Sequence, residues 1–486
     1  MDFRNRFSNQ GEQTKMVSIF MKKTLSILFA FVFLTGQSVF ADEITTQVPA
    51  HLDSLTFLDC YQKVLAHYPA LKKRYEQLEQ AKAGRIIAIA DLFPHVQGVG
   101  SMTTTNDPVG VFGMLLQQNK FTQADFALNE LNNPNHRTDY HFGLEGEMLL
   151  FDSFNTISKI RSARRLVKSA DLEADFTEME AGIVTLESYL GILLAKEVLA
   201  VTAAMKDQSD KDLKQAEDLN QKGLILGADF YAAKVTAAGI ERERNRAQAM
   251  LKSSRMLMNI LMGEDLESTW EPAGKLPEYV QDKGEVRTWI AKAYQERKDL
   301  AAMDQMIDAQ RIESLRQKTS FLPKFYGFGS LNEHTSDWHT GGQDYSVGFK
   351  GTMDLFDPTL PGRIKDAKHR YEELKVDRQA LRDEIAKGLA GELTRFETVI
   401  MDLPVLKQAS KDAEQASDLT AKLYQEGRKS IADLLAMRRA SLTTTTEFEQ
   451  VLFGLEVEYA KLLFLSGQLD ENGLHLVNTR LKGRAS

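Results

Sequence analysis

Residue types that carry catalysis or bind metals are sparse in this sequence and lie far apart. Its nine histidines are scattered, and the closest pairs, His136 with His141 and His334 with His339, have no identifiable acidic partner to orient them. The spacings H-E-x-x-H, G-x-x-x-x-G-K-[ST], G-x-S-x-G and G-x-G-x-x-G do not occur. We therefore expect no catalytic residues, no metal site and no cofactor.

Two turns that contain glycine are the remaining candidate sites, and the aspartate near each of them would act through its charge. Asp229 lies six residues after Gly223, and Asp433 lies six residues after Gly427. Glycine suits a backbone that reverses direction because it tolerates positive φ. Ser430 and Asp433 also have the S-x-x-D spacing of a capping box, so Asp433 has a purely structural interpretation as a helix cap.

The composition is that of a chain with a sizeable core. Of its 486 residues 43% are hydrophobic, and 68 acidic residues outnumber 60 basic ones. A formal charge of −8 argues against a nucleic-acid-binding protein, which needs a basic face. The single cysteine, Cys60, excludes a disulfide framework and a cysteine-based zinc site.

An N-terminal extension plus a secretory signal peptide is predicted within residues 1–41. Two lysines and a ten-residue apolar run precede Val39 and Ala41, which are small residues at the −3 and −1 positions of a cleavage site. A start at Met21 fits this signal better than one at Met1. An uncleaved membrane anchor is the alternative, but the run is shorter than the roughly 20 residues of a spanning helix. The mature chain is expected to be exported.

Long helices are predicted from the scarcity of proline. No proline lies between Pro134 and Pro272, and residues 155–221 carry apolar side chains at three- and four-residue steps. At 1.5 Å per residue this segment makes a helix on the order of 100 Å long. Residues 358–426 form its counterpart, in which Pro404 is expected to kink or break the helix. Such lengths favour coiled-coil packing over an ordinary soluble bundle.

Two segments alternate between apolar and polar residues over about ten positions, which is the pattern of a membrane-barrel strand. They are residues 140–150, where Tyr140, Phe142 and Leu144 share a face, and residues 345–355. Weaker, glycine-rich partners precede each of them. Four strands cannot close a barrel, which needs at least about eight, so several chains must share one. The alternative is a small soluble sheet with one buried face.

The sequence is also a tandem duplication. Leu92-Phe93-Pro94 matches Phe321-Leu322-Pro323 at an offset of 229 residues. Phe151-Asp152 matches Phe356-Asp357 at an offset of only 205. The first copy therefore carries about 24 extra residues between its strands, and each copy is expected to follow the order helix, strand, strand, helix.

Five short motifs, together with the duplication, have the order and spacing of a known family. They are Ala66-His67-Tyr68-Pro69-Ala70-Leu71, Leu92-Phe93-Pro94, Leu150-Phe151-Asp152, the ten residues 426–435 and Leu465-Ser466-Gly467. The chain resembles, from about residue 55 to 467, the TolC-type outer-membrane efflux proteins. The implied fold is an α+β membrane protein whose duplicated helix-strand-strand-helix units form, as a homotrimer, a 12-stranded transmembrane β-barrel continued by a long periplasmic α-helical coiled-coil barrel.

The function that the resemblance implies is not enzymatic. It is a passive exit duct, in the outer membrane of a Gram-negative bacterium, for a tripartite efflux or type I secretion system. The implied partners are two further copies of the chain, a periplasmic adaptor (membrane fusion) protein, an inner-membrane transporter that supplies the energy, and outer-membrane lipid, with no nucleic acid. An alternative of another class is a soluble periplasmic coiled-coil scaffold without a pore. The cargo, drug or protein, stays open because it is chosen upstream.

The resemblance further implies that the two glycine turns form a periplasmic gate. Asp229 and Asp433 match aspartates that line the closed entrance, and three copies would place rings of carboxylates in a narrow pore. Tyr424 and Lys429 match residues that hold the closed state through links to neighbouring helices. Ala436 departs from the family at a second acidic position, which argues against a double acidic gate. The residues expected to dock the adaptor are Gly223, Gly227, Gly427 and Ser430.

Domain limits are predicted from the same matches. They are 1–41 for the N-terminal extension and signal, 42–263 for the first repeat (helices 55–92 and 153–262, strands about 95–106 and 139–151, external loop 107–137), 264–284 for the linker, 285–468 for the second repeat (strands about 324–335 and 344–356) and 469–486 for the C-terminal tail.

Overall fold

A computed structural model describes residues 52–278, 283–337 and 341–482. The predicted signal peptide therefore lies outside the described residues. The elements of the first repeat are, in chain order, helices α1 (Phe57–His67) and α2 (Pro69–Ala90), strand β2 (His95–Thr105), helices α3 (Pro108–Gln117) and α4 (Leu128–Asn132), strand β3 (Arg137–Phe151), and helices α5 (Asn155–Gln221) and α6 (Gly227–Met262).

The second repeat has the same order without the two short helices between its strands. Its elements are α7 (Val286–Glu296), α8 (Lys298–Thr319), β5 (Lys324–Thr335), β6 (Gly341–Thr352), α9 (Leu360–Gln425) and α10 (Ile431–Leu465). Corresponding helices match in length: 11 and 22 residues open each repeat, and the long helices have 67 and 66. The predicted duplication of helix-strand-strand-helix units is confirmed.

Three further elements connect the two repeats near the middle of the long helices. Strand β1 (Leu52–Leu55) pairs in parallel with β4 (Trp270–Pro272), and helix α11 (Glu471–Leu481) follows the second repeat. The Tyr189 hydroxyl of α5 lies within hydrogen-bond distance of the carbonyls of both Leu55 and Ala273. The main apolar core lies at this level and includes the fully buried Leu186 and Leu190 of α5.

The four longer strands form one antiparallel sheet in the order β2-β3-β5-β6. Strand β3 of the first repeat pairs with β5 of the second, so Leu144 lies opposite Leu331, and Leu331 lies opposite Tyr345. These residues share a face that is apolar and exposed, with Val347 81% accessible. An exposed apolar face of this extent indicates a surface that meets lipid or another protein.

Several predicted element bounds differ from those observed. The helix expected over 55–92 is divided at Tyr68, because the residue before Pro69 is excluded from the helical region. The strand expected over 344–356 ends at Thr352, which pairs with Lys324; Pro323 has no N–H to extend the ladder. The expected loop 107–137 contains α3, α4 and a short 3₁₀ turn.

Helix α9 continues through Pro404 and is not broken there. A proline inside a helix removes one backbone hydrogen bond, and Pro404 lies at an exposed position of α9. Among the described residues, α5 alone is long and apolar enough to cross a membrane, with 39% of the apolar window buried within the chain. Because Leu186 and Leu190 lie in the central core, this helix has the character of a core helix.

Candidate functional site

Both long helix pairs reverse direction through turns of the same geometry. Gly223 (φ 69°) follows α5 and Gly427 (φ 72°) follows α9, and a Cβ at either position would meet nothing within 4 Å. The Leu224 N–H donates to the Leu219 carbonyl at 2.9 Å, and the second turn repeats this bond at 2.8 Å. This is a Schellman cap, in which glycine is required by its positive φ and not by crowding.

The second turn is closed by a capping box. The Ser430 hydroxyl accepts the Asp433 N–H at 3.0 Å, and Asp433 Oδ2 accepts the Ser430 N–H at 3.2 Å. These bonds to Ser430, with the Lys429 ammonium 3.9 Å from Asp433 Oδ2, lower the pKa of Asp433 from its ordinary value. Half of the Asp433 side chain is exposed. Asp433 is therefore a helix cap and also an exposed carboxylate that stays ionised.

The first turn lacks this box. Helix α6 begins at Gly227 after Leu226, whose side chain has no oxygen to cap the helix. Asp229 lies in the first helical turn, partly exposed, where its charge complements the helix dipole. Gly227 itself has an ordinary φ and an open environment. The two turns therefore share backbone geometry but differ in how each helix is capped.

Tyr424 and Lys429 lie in different environments. Tyr424 is buried in a tip cluster with Phe230, Ile431 and Leu434, and its hydroxyl has no hydrogen-bond partner among the described residues. Burial raises the pKa of Tyr424, and the nearby negative charge of Asp212 acts in the same direction. Lys429 lies on the exposed turn beside Asp433. The links to neighbouring helices expected for Tyr424 and Lys429 stay a prediction.

A buried polar cluster near the turns was not predicted from the sequence. Arg438 of α10 donates to Asp212 of α5 at 3.1 Å and to the Ser417 hydroxyl of α9 at 3.1 Å. Arg438 occupies a position seven residues after Ile431, which places it on the buried stripe of its helix. That spacing was the available signal, because an arginine on a buried stripe needs an acidic partner.

Comparison with known proteins identifies the whole arrangement. Residues 60–263 and 289–468, which are both repeats almost in full, match the family described as outer membrane efflux protein. The chain belongs to the outer membrane efflux protein family. Its members are outer-membrane channels of efflux and type I secretion systems, so the sheet is the membrane-embedded part and the helices extend into the periplasm.

Individual relatives cover nearly the full length. The alkaline protease secretion protein AprF of Pseudomonas aeruginosa is 24% identical over 489 residues, covering 94% of this chain and 91% of AprF. The CmeC outer membrane channel of Campylobacter jejuni has a TM-score of 0.73 at 15% identity, covering 87% and 89% of the two chains. The open-state MtrE outer membrane channel of Neisseria gonorrhoeae has a TM-score of 0.68 at 14% identity, covering 85% and 89%. The last two likenesses show the shared fold.

Proposed function

We propose that three copies of this chain form a passive duct that exports protein in a type I secretion system. The observation that carries the trimer is the sheet. It has four strands, and β2 and β6 have no further strand partner in the described chain. Three such sheets joined edge to edge give twelve strands, which satisfies both edges and exceeds the minimum of about eight for a barrel.

The apolar face fixes which side of this barrel meets lipid. Tyr345, Val347 and Phe349 of β6 are each more than three-quarters exposed in the single chain. On the opposite face of the sheet lie Glu145 and Glu147 of β3. Alternation of this kind places apolar side chains in the membrane and charged ones in an aqueous lumen.

The gate of the duct is the pair of helix turns. In a trimer, Asp229 and Asp433 form carboxylate rings that favour cations at the entrance. Lys429 neutralises part of the Asp433 charge while the turn is closed. Tyr424 and the cluster around it hold the two helix pairs of one chain together.

The same turns provide the surface for the adaptor protein. Leu224 and Leu226 flank the first turn and are 67% and 71% exposed, although both are apolar. The glycines Gly223, Gly227 and Gly427, with Ser430, keep the turns narrow enough to fit between helices of a partner. An adaptor that covers these leucines links the duct to an inner-membrane transporter, which supplies the energy.

Protein cargo is favoured by the full-length match to AprF, a protein named for alkaline protease secretion. The test has two parts. Light scattering of the detergent-extracted particle should give about three chains, and a monomer or dimer released without detergent would contradict the duct. Deleting the gene should then remove at least one secreted protein from the culture medium, compared with the medium of the parent strain. Increased drug sensitivity with an unchanged set of secreted proteins would instead indicate drug efflux.

A further inference from the structure

The long connection between the strands of the first repeat folds onto the sheet. We call residues 106–136 the outer segment; it joins β2 to β3 at the end of the sheet opposite the long helices. Its Gln118 is buried and donates to Asp139 Oδ1 at 2.7 Å. Asp139 alternates along β3 with the apolar-face residues Tyr140 and Phe142, so Gln118 binds the polar face. The outer segment therefore lies on the side that faces the lumen of the duct.

A glycine allows the outer segment to contact the same polar face at the other edge of the sheet. Gly342 of β6 lies opposite His334, which lies opposite His141, so all three share the polar face. A Cβ at Gly342 would lie 1.8 Å from the Gln117 carbonyl oxygen at the end of α3. The φ of Gly342 is not positive, so only the close approach of α3 requires glycine there.

Polar contacts bind the outer segment at two places, to β3 and to the connection between β5 and β6. The Lys120 ammonium binds the Ser336 hydroxyl at 2.6 Å and Asp337 Oδ2 at 2.7 Å. Beneath the segment, Asp139 Oδ2 is 2.8 Å from His334 Nδ1, and both residues are less than a tenth exposed. The segment is a docked cover and not a free loop.

The other side of α3 is not covered by any part of the chain that the structure describes. Val111, Met114, Leu115 and Gln118 are buried against the sheet and the rest of the segment. On the opposite stripe, Val109 is 80% and Leu116 49% exposed, and α3 contains no charged residue. A helix that is apolar all round is normally buried. Because this helix lies on the lumen side, lipid does not cover it.

We propose that the exposed stripe of α3 packs against the outer segments of the other two copies of the chain. The three segments then meet inside the outer mouth of the duct and narrow it with an apolar constriction. This inference rests on the proposed trimer. It assigns the only long insertion in the duplication a place in the conduction path, at the opposite end from the helical tips.

Cysteine cross-linking tests the contact. In outer membranes treated with a short bismaleimide, Val109→Cys should give cross-linked dimers of the chain, because the reagent joins two thiols and each chain offers one. Val347→Cys is the matched control, since it is equally exposed in the single chain but lies on the lipid face. The native Cys60 is buried and will not contribute to the labelling. If Val109→Cys cross-links no more than Val347→Cys in a particle of three chains, the constriction is wrong while the trimer stands.

A second pair of variants tests the docking of α3. Gly342→Ala in the Val109→Cys background should lower the cross-linking yield several-fold, because the added methyl displaces the end of α3. Gly98→Ala on β2 has nothing within 4 Å of the new Cβ and should leave the yield unchanged. Equal yields in both variants would contradict the docking. If light scattering shows no trimer for the unsubstituted protein, the proposed function is contradicted, independently of the cross-linking results.

Discussion

Arg438 Nε lies 3.1 Å from Asp212 Oδ2, with less than a tenth of either side chain exposed. The pair joins the long helix of the first repeat to the last helix of the second, close to the turns proposed as the gate. Ser417 completes the contact from α9. Movement of one helix pair past the other therefore requires a buried ion pair to separate or to move as a unit.

We expect Asp212→Asn to destabilise the protein by roughly 3 kcal/mol, because the buried guanidinium of Arg438 then keeps only the exposed Asp418 carboxylate, 3.5 Å away, as a counter-charge. The measurement is the thermal midpoint of the helical circular dichroism in detergent. The control is Asp210→Asn, which removes an exposed ion pair with Lys206 and should cost less than about 1 kcal/mol. Similar thermal midpoints for the two variants would show that the buried ion pair stabilises the protein no more than the exposed one.

Asp433→Asn should reduce the cation preference of the pore in planar-bilayer conductance, because it removes three carboxylates from the entrance. Ser430→Ala is the matched variant, since it breaks the capping box and keeps the charge. Its cation preference should stay near that of the parent. The pKa of Asp433 is lowered, so its carboxylates stay charged as pH falls to the ordinary value of 3.8, and cation preference should weaken only below it. An unchanged preference in Asp433→Asn would remove this residue from the gate.

Glu456 should make the stability of the protein depend on pH. It is buried on α10 and accepts from Arg480 at 2.7 Å, and burial raises its pKa from 4.5 to about 7. The folded state therefore holds a proton that the unfolded chain releases. This contribution is fully present below pH 4.5 and is lost as pH rises to about 7, a change of about 3 kcal/mol.

Glu456→Gln cannot ionise, so its thermal midpoint should change less between pH 4.5 and 7 than that of the parent. The exposed Glu447→Gln on the same helix serves as the control and should keep the parental slope. Parallel curves for the parent and Glu456→Gln would show that Glu456 does not titrate in this range.

Cys60 should be inert in the folded protein. It is fully buried in α1, and desolvation together with the neighbouring Asp59 charge raises its pKa to about 12. Because the thiolate is the reactive form, maleimide should label it only after denaturation. Labelling at pH 7.5 without denaturant would indicate that α1 opens from the core.

Gly427→Ala should destabilise the second turn by about 1 kcal/mol, because alanine is strained at a φ of 72°. Gly227→Ala is the contrasting change, since Gly227 begins α6 at an ordinary φ with open space around it. It should be neutral or slightly stabilising. Hydrogen exchange of the turn amides measures both effects, and equal exchange rates would contradict the distinction.

The elements that follow from periodicity were predictable from the sequence. The long helices and the alternating strand β3 repeat their patterns over many residues, and the duplication tests each copy against the other. The end of a strand is harder to predict when the neighbouring strand determines it. Strand β6 ends at Thr352 because its partner β5 begins at Lys324, directly after a proline. Capping by Ser430 and Asp433 could be read locally, since both partners lie within one turn.

The contacts that the sequence did not disclose join residues far apart in the chain. Arg438 and Asp212 are separated by 226 positions, and no local spacing pairs them. The docking of Gln118 on Asp139 is shorter in range, but it depends on which face of the sheet the segment crosses. Gly342 has the sequence context of an ordinary strand glycine, and only its contact with the end of α3, which is distant in the chain, explains why glycine is needed there.

The insertion of the outer segment in one repeat only has a consequence for symmetry. The two helix turns of one chain are near copies in length and backbone geometry, so the periplasmic end of a trimer approximates sixfold symmetry. The opposite end carries a single outer segment per chain and is strictly threefold. A ring of six similar subunits can therefore match the periplasmic end, whereas a ligand centred on the outer mouth meets three equivalent surfaces.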